Sequence, residues 1–390
     1  MQRRDRILGL TTSLVEAVVG MPLEKLDEKA TVTVLTRSRE LSLFPLVYRL
    51  LASRSLERRA ADLQRQWWRE HRVRQSLLFL QTRRVCEALD SLPFLTLKGL
   101  ALGTRLYGAS EWRSTGDIDI LLKLDELGSA VEALAKVGFV PKPGARPEPW
   151  VNNEYKLFHE ELGLIVELHW ALTLPKVPSP SVDELLAART SVTVRDELEV
   201  PVLSKEHGFL QACYHFHHHT GFLKGLFDIA GWLDRYGGEL DFGAIDEMAK
   251  RLGVEGLVQW PLHSIAKLTG LEVPGLALNP RWAVEQWSRF TCRAARGALS
   301  SEESVPGYSA LAFKTQDVLK GHVMAWSMLA SLLLDRPAAR FKGVWHPIFL
   351  GPEAMAQKLG KEEADAETWV RVAGRPVELV WKQVRELVSR

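Results

Sequence analysis

Apolar positions change period along this 390-residue chain. Through residues 41–92 they recur at spacings of three and four, in LFPLVYRLL and again in WWREHRVRQSLLFLQTRRVCEAL, which predicts helices. At Leu92 the period shortens. PFLTLKG is a short extended run, LALGTRLY suits a short helix after Gly99, and DIDILLK reads as a strand. LDELGSAVEALAKVGF returns to helical spacing with Gly138 as its stop. The proline-rich PKPGARPEPW is a loop, GLIVELHWAL alternates as a strand, and SVTVRDELEVPVL predicts a hairpin around Asp196 and Glu197. From Ser204 onward the segments KEHGFLQACYHFHHHTGFLKGLFDIAGWLDRY, FGAIDEMAKRLG and VEGLVQWPLHSIAKLTG read as helices joined by glycine and proline stops. The pattern predicts an α+β fold with a helical N-terminal domain over 1–92, a core over 93–203 and a helical C-terminal domain over 204–390.

One strand-type run breaks its own pattern. In GDIDILL, residues two apart share a face, so Asp117 and Asp119 line one side with Leu121 while Ile118, Ile120 and Leu122 line the other. Two anions held that close in a partly buried place repel one another and lose hydration unless a cation compensates them or one takes up a proton. A hard divalent metal suits carboxylate oxygens, and Mg²⁺ usually completes its shell with waters and substrate phosphate oxygens. The plain alternative is a surface strand with solvated acids, or Asp117 as a turn residue after Gly116.

Three neighbours favour the metal. Lys98 and Gly99 stand at a strand-to-helix junction, where a glycine lets backbone N–H groups approach a phosphate and Lys98 adds charge. Arg113 sits in the polar loop before the strand and could reach phosphate oxygens. Glu167 in LIVELHW falls on the same strand face as Ile165 and His169 and could complete a three-carboxylate site. Glu154, Glu160 and Glu161 flank that strand and are the alternatives for the third acid. His169 could orient a carboxylate, donate to phosphate, or be a core histidine with its hydrogen bonds satisfied.

Composition narrows the partners only slightly. With 46% hydrophobic and 25% charged residues the balance is that of an ordinary globular protein, long enough for two or three packed domains. A net charge of +2 gives no global drive toward nucleic acid or an anionic membrane. Locally, nine arginines and only the acids Glu57, Asp62 and Glu70 lie in residues 54–84, with Trp67 and Trp68 among them. That is either a basic face for RNA or nucleotide phosphates, or a solvated helix whose arginine stems cover apolar surface. Cys86, Cys213 and Cys292 are far apart and form no C-x-x-C pair, which suits buried thiols in a reducing cytoplasm. At the N-terminus, Thr11, Thr12, Ser13 and Glu16 break the apolar stretch short of a signal-peptide core, leaving an amphipathic helix. VMAWSMLASLLL near the C-terminus has about half the length of a membrane span and reads as a buried helix. In HFHHHTG, His215, His218 and His219 share a helical face that could bind Zn²⁺, although neither H-E-x-x-H nor a cysteine pair accompanies them.

The order of a strand, Lys98-Gly99, a short helix ending in Tyr107, Arg113, GDID and a later E-x-H-W strand resembles the poorly characterised bacterial nucleotidyltransferase family of the DNA polymerase β-like superfamily, closely over residues 93–172. GFLKGLFDIA resembles that family's helix carrying Lys or Arg before Asp-Ile-Ala, and WHPIFLGP is similar to its C-terminal end. The resemblance implies a small mixed-sheet core and metal-dependent transfer of a nucleoside monophosphate from an NTP to a hydroxyl or similar acceptor, with release of pyrophosphate. The acceptor class is a small molecule, a peptide or protein, or an RNA end. It further implies Mg²⁺, with Mn²⁺ as the alternative, held by Asp117, Asp119 and Glu167; two metals roughly 3.5–4 Å apart stabilise both the attacking and the leaving oxygen. Glu167 could also help to deprotonate the acceptor.

Nucleotide contacts are expected from Lys98, Gly99, Arg113, Gly116, His169, Lys224 and Asp228. The last two, with one of the clustered histidines, would line a cleft against the helical domain, and they could equally form an i, i+4 ion pair. The superfamily commonly has Gly-Ser or Gly-Gly where this chain has Gly99-Leu100, so a serine contact to the triphosphate is absent there. Two other functions fit the same sequence: a catalytically inactive nucleotidyltransferase-like regulatory protein, and an RNA-binding protein using residues 54–84.

Overall fold

The alternating runs between Phe94 and Val202 assemble into one seven-stranded mixed sheet. Its strands are β1 (Phe94–Thr96), β2 (Asp117–Leu122), β3 (Val140–Pro141), β4 (Glu154–His159), β5 (Leu164–His169), β6 (Thr190–Val194) and β7 (Leu198–Val202), in spatial order β3-β4-β5-β2-β1-β7-β6. The central β2 runs antiparallel to β1 and parallel to β5. The structure, a computed structural model, describes residues 9–52, 54–147, 153–173, 177–218, 223–277, 279–300 and 333–334. The first eight residues, His219, the WHPIFLGP run and most of the apolar run 323–334 lie outside them, as does the end of the proline-rich loop.

Twelve α-helices flank the sheet among the described residues, which makes the fold α+β. Before the sheet come α1 (Gly9–Val19), α2 (Glu28–Glu40), α3 (Phe44–Leu51) and the 31-residue α4 (Arg58–Ala88). Within it lie α5 (Gly99–Tyr107), α6 (Leu127–Ala135) and α7 (Val182–Ala187), and after it α8 (Lys205–His218), α9 (Leu223–Tyr236), α10 (Phe242–Leu252), α11 (Glu255–Thr269) and α12 (Trp282–Ala295). Their ends follow local chemistry. Asp27 and Asp241 cap α2 and α10 by accepting from Ala30 N and Ala244 N, and α10 and α11 stop at the left-handed glycines Gly253 and Gly270. No helix among the described residues is long and apolar enough to cross a membrane. Cys86, Cys213 and Cys292 are buried free thiols.

The two faces of the sheet bury different cores. Ile118, Ile120 and Leu122 pack with Leu157, Val166 and Leu168 against Leu78, Phe79 and Val85 of α4 and Leu134 of α6. On the other face Leu95 and Leu121 join a larger core shared by α1–α3, α5 and α8–α12. α1 packs on α9 and α11, so helices from before and after the sheet meet in that one core. The alternation in DIDILL therefore turns Asp117 and Asp119 toward the helical layer.

α4 links the two cores. Its first half sets Trp67 edge-on to Phe44 and stacks Trp68 on Tyr48, at 4.2 Å, and on Trp112, at 5.0 Å, the three rings forming one cluster. Both tryptophans of the arginine-rich stretch are thus packed on protein rings, and Arg65 and Arg83 pair with Asp62 and Glu197. Farther along, the His71 ring lies 2.8 Å from the Glu111 carbonyl oxygen and Gln75 donates to the Thr115 carbonyl at 3.1 Å, which fixes the loop leading into β2.

Candidate active site

Register builds the site. Across the parallel β2–β5 pair Asp119 is opposite Glu167, and across the antiparallel β4–β5 pair Glu167 is opposite Lys156 while His169 is opposite Glu154. Paired residues share a sheet face, so three adjacent strands aim Asp119, Glu167, His169, Lys156 and Glu154 at one region. Lys98, at the turn from β1 into α5, reaches the same region from the other side of β2. One ligand atom each from Asp119, Glu167 and His169 lies within 4.8 Å of the others, the only such group among the described residues.

The cluster is densely paired. Lys98 Nζ lies 2.7 Å from Asp119 Oδ1, and His169 Nε2 lies 3.1 Å from the same oxygen and 3.6 Å from Glu167 Oε2. Lys156 Nζ donates to Glu167 Oε1 at 2.5 Å and lies 3.1 Å from Glu154 Oε1. Burial works against the charge of Asp119, yet the Lys98 ammonium and the His169 hydrogen bond outweigh it and hold the carboxyl far below its ordinary range. Glu167, likewise opposed by burial, is brought down to about 2 by hydrogen bonds from His169 and Lys156. For His169 burial again disfavours the charged form, and the bonds to Asp119 and Glu167 win, raising the imidazolium to about 9. The ring is therefore a cation between two carboxylates.

Asp117 differs from its neighbours. Its carboxylate has no hydrogen bond or ion pair among the described residues, and burial followed by the Asp119 charge raises its proton affinity. Lys224, on α9, is its counterpart: half-buried, and pushed down to about 7 by burial and then by the like charge of Arg113. Asp228 does not pair with Lys224. Both its oxygens accept from Arg113, Nε and Nη2 each at 2.9 Å, and both side chains are about 4% exposed.

These distances sort the sequence expectations. Lys98, Asp119, Glu167 and His169 meet directly; Asp117 stands beside them, and the charges that act on it include Lys98, Glu167 and Lys224. Arg113 and Asp228 bond each other, so they join the β2 loop to α9. Of the alternative acids, Glu154 joins the cluster, while Glu160 and Glu161 sit in the turn between β4 and β5, beyond Leu164 and away from the Asp119 end of the register. His218 is acted on by the charges of Glu154, Lys98 and His169 and lies at the cluster's edge. Sequence reasoning passed over Lys156 because it gave no strand to EYKLFH. The signal was present: Tyr155 and Leu157 alternate with Glu154 and Lys156, and the two apolar side chains are buried.

The oxygen-rich carboxylate set fits a divalent cation, with the protonated His169 ring holding Asp119 and Glu167 in place and not acting as a ligand. Asp117 supplies a carboxylate not committed elsewhere, and Asp119 and Glu167 are held ionised, as ligands must be. No curated protein matches the chain. Residues 28–270, which include every site residue from Lys98 to Asp228, match the model of the family described as uncharacterised nucleotidyltransferase, and the chain belongs to that family.

Proposed function

We propose that the protein moves a nucleoside monophosphate from an NTP to a hydroxyl or similar acceptor and releases pyrophosphate, with residues 93–203 as the catalytic unit. The observation that carries this reading is the placement of Asp119 opposite Glu167 with Asp117 one alternation away, three carboxylates on one face of adjacent parallel strands. In the reaction a bond forms between the acceptor oxygen and the α-phosphorus, and the bond from that phosphorus to the β-phosphate oxygen breaks.

Asp117, Asp119 and Glu167 would hold Mg²⁺ or Mn²⁺, which when bound supplies Lewis-acid stabilisation of the reacting phosphoryl oxygens. His169 donates to Asp119 and lies beside Glu167, fixing both carboxylates in place. Lys156 steadies Glu167, whose low proton affinity suits holding a cation better than taking the acceptor proton. Lys98 and Lys224 put ammonium groups where the triphosphate would carry its charge, and the start of α5 at Gly99 adds backbone N–H groups. With three free buried thiols, a reducing cytoplasm suits the protein.

The Lys98–Asp119 pair favours a second reading, a nucleotide-binding protein that performs no transfer, because an ammonium already neutralises the central carboxylate. One experiment separates the two. The protein is incubated with each NTP labelled at the α-phosphate, Mg²⁺, and small-molecule, protein and RNA fractions of a cell extract. Transfer of label into one fraction with release of pyrophosphate, lost in Asp117→Asn, is expected. Nucleotide binding without transfer into any fraction would overturn the transferase reading in favour of the second.

A further inference from the structure

Thr115 extends the alternation that orders the carboxylates. Stepping back by two from Asp119 gives Asp117 and then Thr115, whereas Gly116 and Ile118 fall on the opposite side. The contacts agree. Thr115 Oγ1 and the Asp117 carbonyl oxygen each lie 3.7 Å from where a Cβ on Gly99 would stand, while the Cβ position of Gly116 is 3.2 Å from Arg74 of α4, on the other side.

The Thr115 side chain is mostly buried, and its hydroxyl has no partner among the described residues. The residue is 9% exposed, and its carbonyl accepts from Gln75, but its Oγ1 makes no hydrogen bond among the described residues. What it faces is the start of α5, a nine-residue helix whose first N–H groups lack intrahelical acceptors and receive no side-chain cap from Lys98. Gly99 enters the helix with φ +62°, and Lys98 Nζ stands over Asp119 nearby. A free hydroxyl, free backbone donors and an ammonium thus converge beside the carboxylates.

We propose that Thr115 is a phosphate-binding residue whose hydroxyl donates to a non-bridging oxygen of the triphosphate, next to the N–H groups of α5. The inference rests on the nucleotidyltransferase reading and adds to it a residue outside the carboxylate cluster. It also accounts for how a helix beginning Gly99-Leu100, with no hydroxyl of its own in the first turn, is supplied with one from the neighbouring loop.

Calorimetric titration of the full-length protein with inorganic tripolyphosphate and Mg²⁺, then with each NTP and Mg²⁺, tests it in wild type, Thr115→Val, Thr115→Ala and Thr115→Ser. Loss of one hydrogen bond to a charged oxygen weakens tripolyphosphate binding roughly tenfold to a hundredfold in the valine and alanine variants. Thr115→Ser restores it, and Mn²⁺ binding in the absence of phosphate stays unchanged in all four proteins. Thermal melting identifies any variant that fails to fold, and the remaining substitutions then decide. Wild-type affinity in Thr115→Val or Thr115→Ala overturns the assignment and leaves the nucleotidyltransferase reading intact. A serine variant as weak as the valine one overturns it too, since packing and not the hydroxyl would be responsible. If wild type binds neither tripolyphosphate nor any NTP, the assignment falls together with the reading beneath it.

Discussion

Arg113 grips Asp228 with two hydrogen bonds of 2.9 Å, tying the loop in front of β2 to helix α9 across 115 positions of sequence. Both charges are buried, so removing one partner strands the other, at a cost of about 3–5 kcal/mol. Asp228→Asn therefore lowers the urea midpoint strongly at an unchanged slope. Replacing both residues, as Arg113→Met with Asp228→Leu, recovers most of the loss, because an apolar pair leaves no charge uncompensated. Equal stability of the single and double variants would contradict this account.

Asp117 and Asp119 differ in what they do for the fold. Asp119 is the counter-ion of Lys98 and accepts from His169, so Asp119→Asn is destabilising by about 3 kcal/mol or more. The proton affinity of Asp117 is raised by burial and by Asp119, which means that its ionised form costs stability at neutral pH. Asp117→Asn is accordingly as stable as wild type or more so, while metal-dependent nucleotide binding is lost. Chemical denaturation of the two variants side by side reads the difference.

Lys224 gives nucleotide binding a pH dependence of known sign. Burial first, and the Arg113 charge second, hold its ammonium down to about 7 in the free protein. A bound triphosphate raises that value, so the affinity contributed by Lys224 is full below pH 7 and declines as the pH rises above it. Near pH 8 binding takes up protons, measurable by titration in two buffers of different ionisation heat, and Lys224→Met abolishes the uptake. In the free protein the unfolded chain holds this proton more tightly, so the contribution of Lys224 to stability rises with pH from 7 toward the ordinary lysine value.

Gly99 has a conformational reason to be glycine. At φ +62° an L side chain costs about 1–2 kcal/mol, although the Cβ itself would meet nothing closer than 3.7 Å. Gly99→Ala is expected to fold with its unfolding free energy, read from urea denaturation, lowered by that amount, without the larger loss that a clash would cause.

What the sequence disclosed was whatever depends on local period. The helix α4, the strand faces around Asp117 and Asp119, and the side of β5 that carries Glu167 and His169 all follow from spacing alone. The parallel register that sets Glu167 opposite Asp119 depends on how the chain returns through β4, and no local signal fixes that. Pairing is hidden for the same reason. Asp228 has a lysine four residues before it on its own helix, yet it bonds Arg113, because docking of α9 on the loop decides which cation is nearest. Trp67 and Trp68 stand among arginines in sequence, but the packing of α3 on α4 turns them onto Phe44 and Tyr48. Lys156 was legible in principle, since EYKLFH alternates as cleanly as LIVELH.

Isothermal titration of the full-length protein with each of the four NTPs, with and without Mg²⁺, beside the Asp117→Asn variant, tests the central claim most directly. The account predicts that at least one NTP binds wild type only when Mg²⁺ is present and that this binding disappears in folded Asp117→Asn. Failure of folded wild-type protein to bind any NTP, or binding that survives in Asp117→Asn, would contradict it.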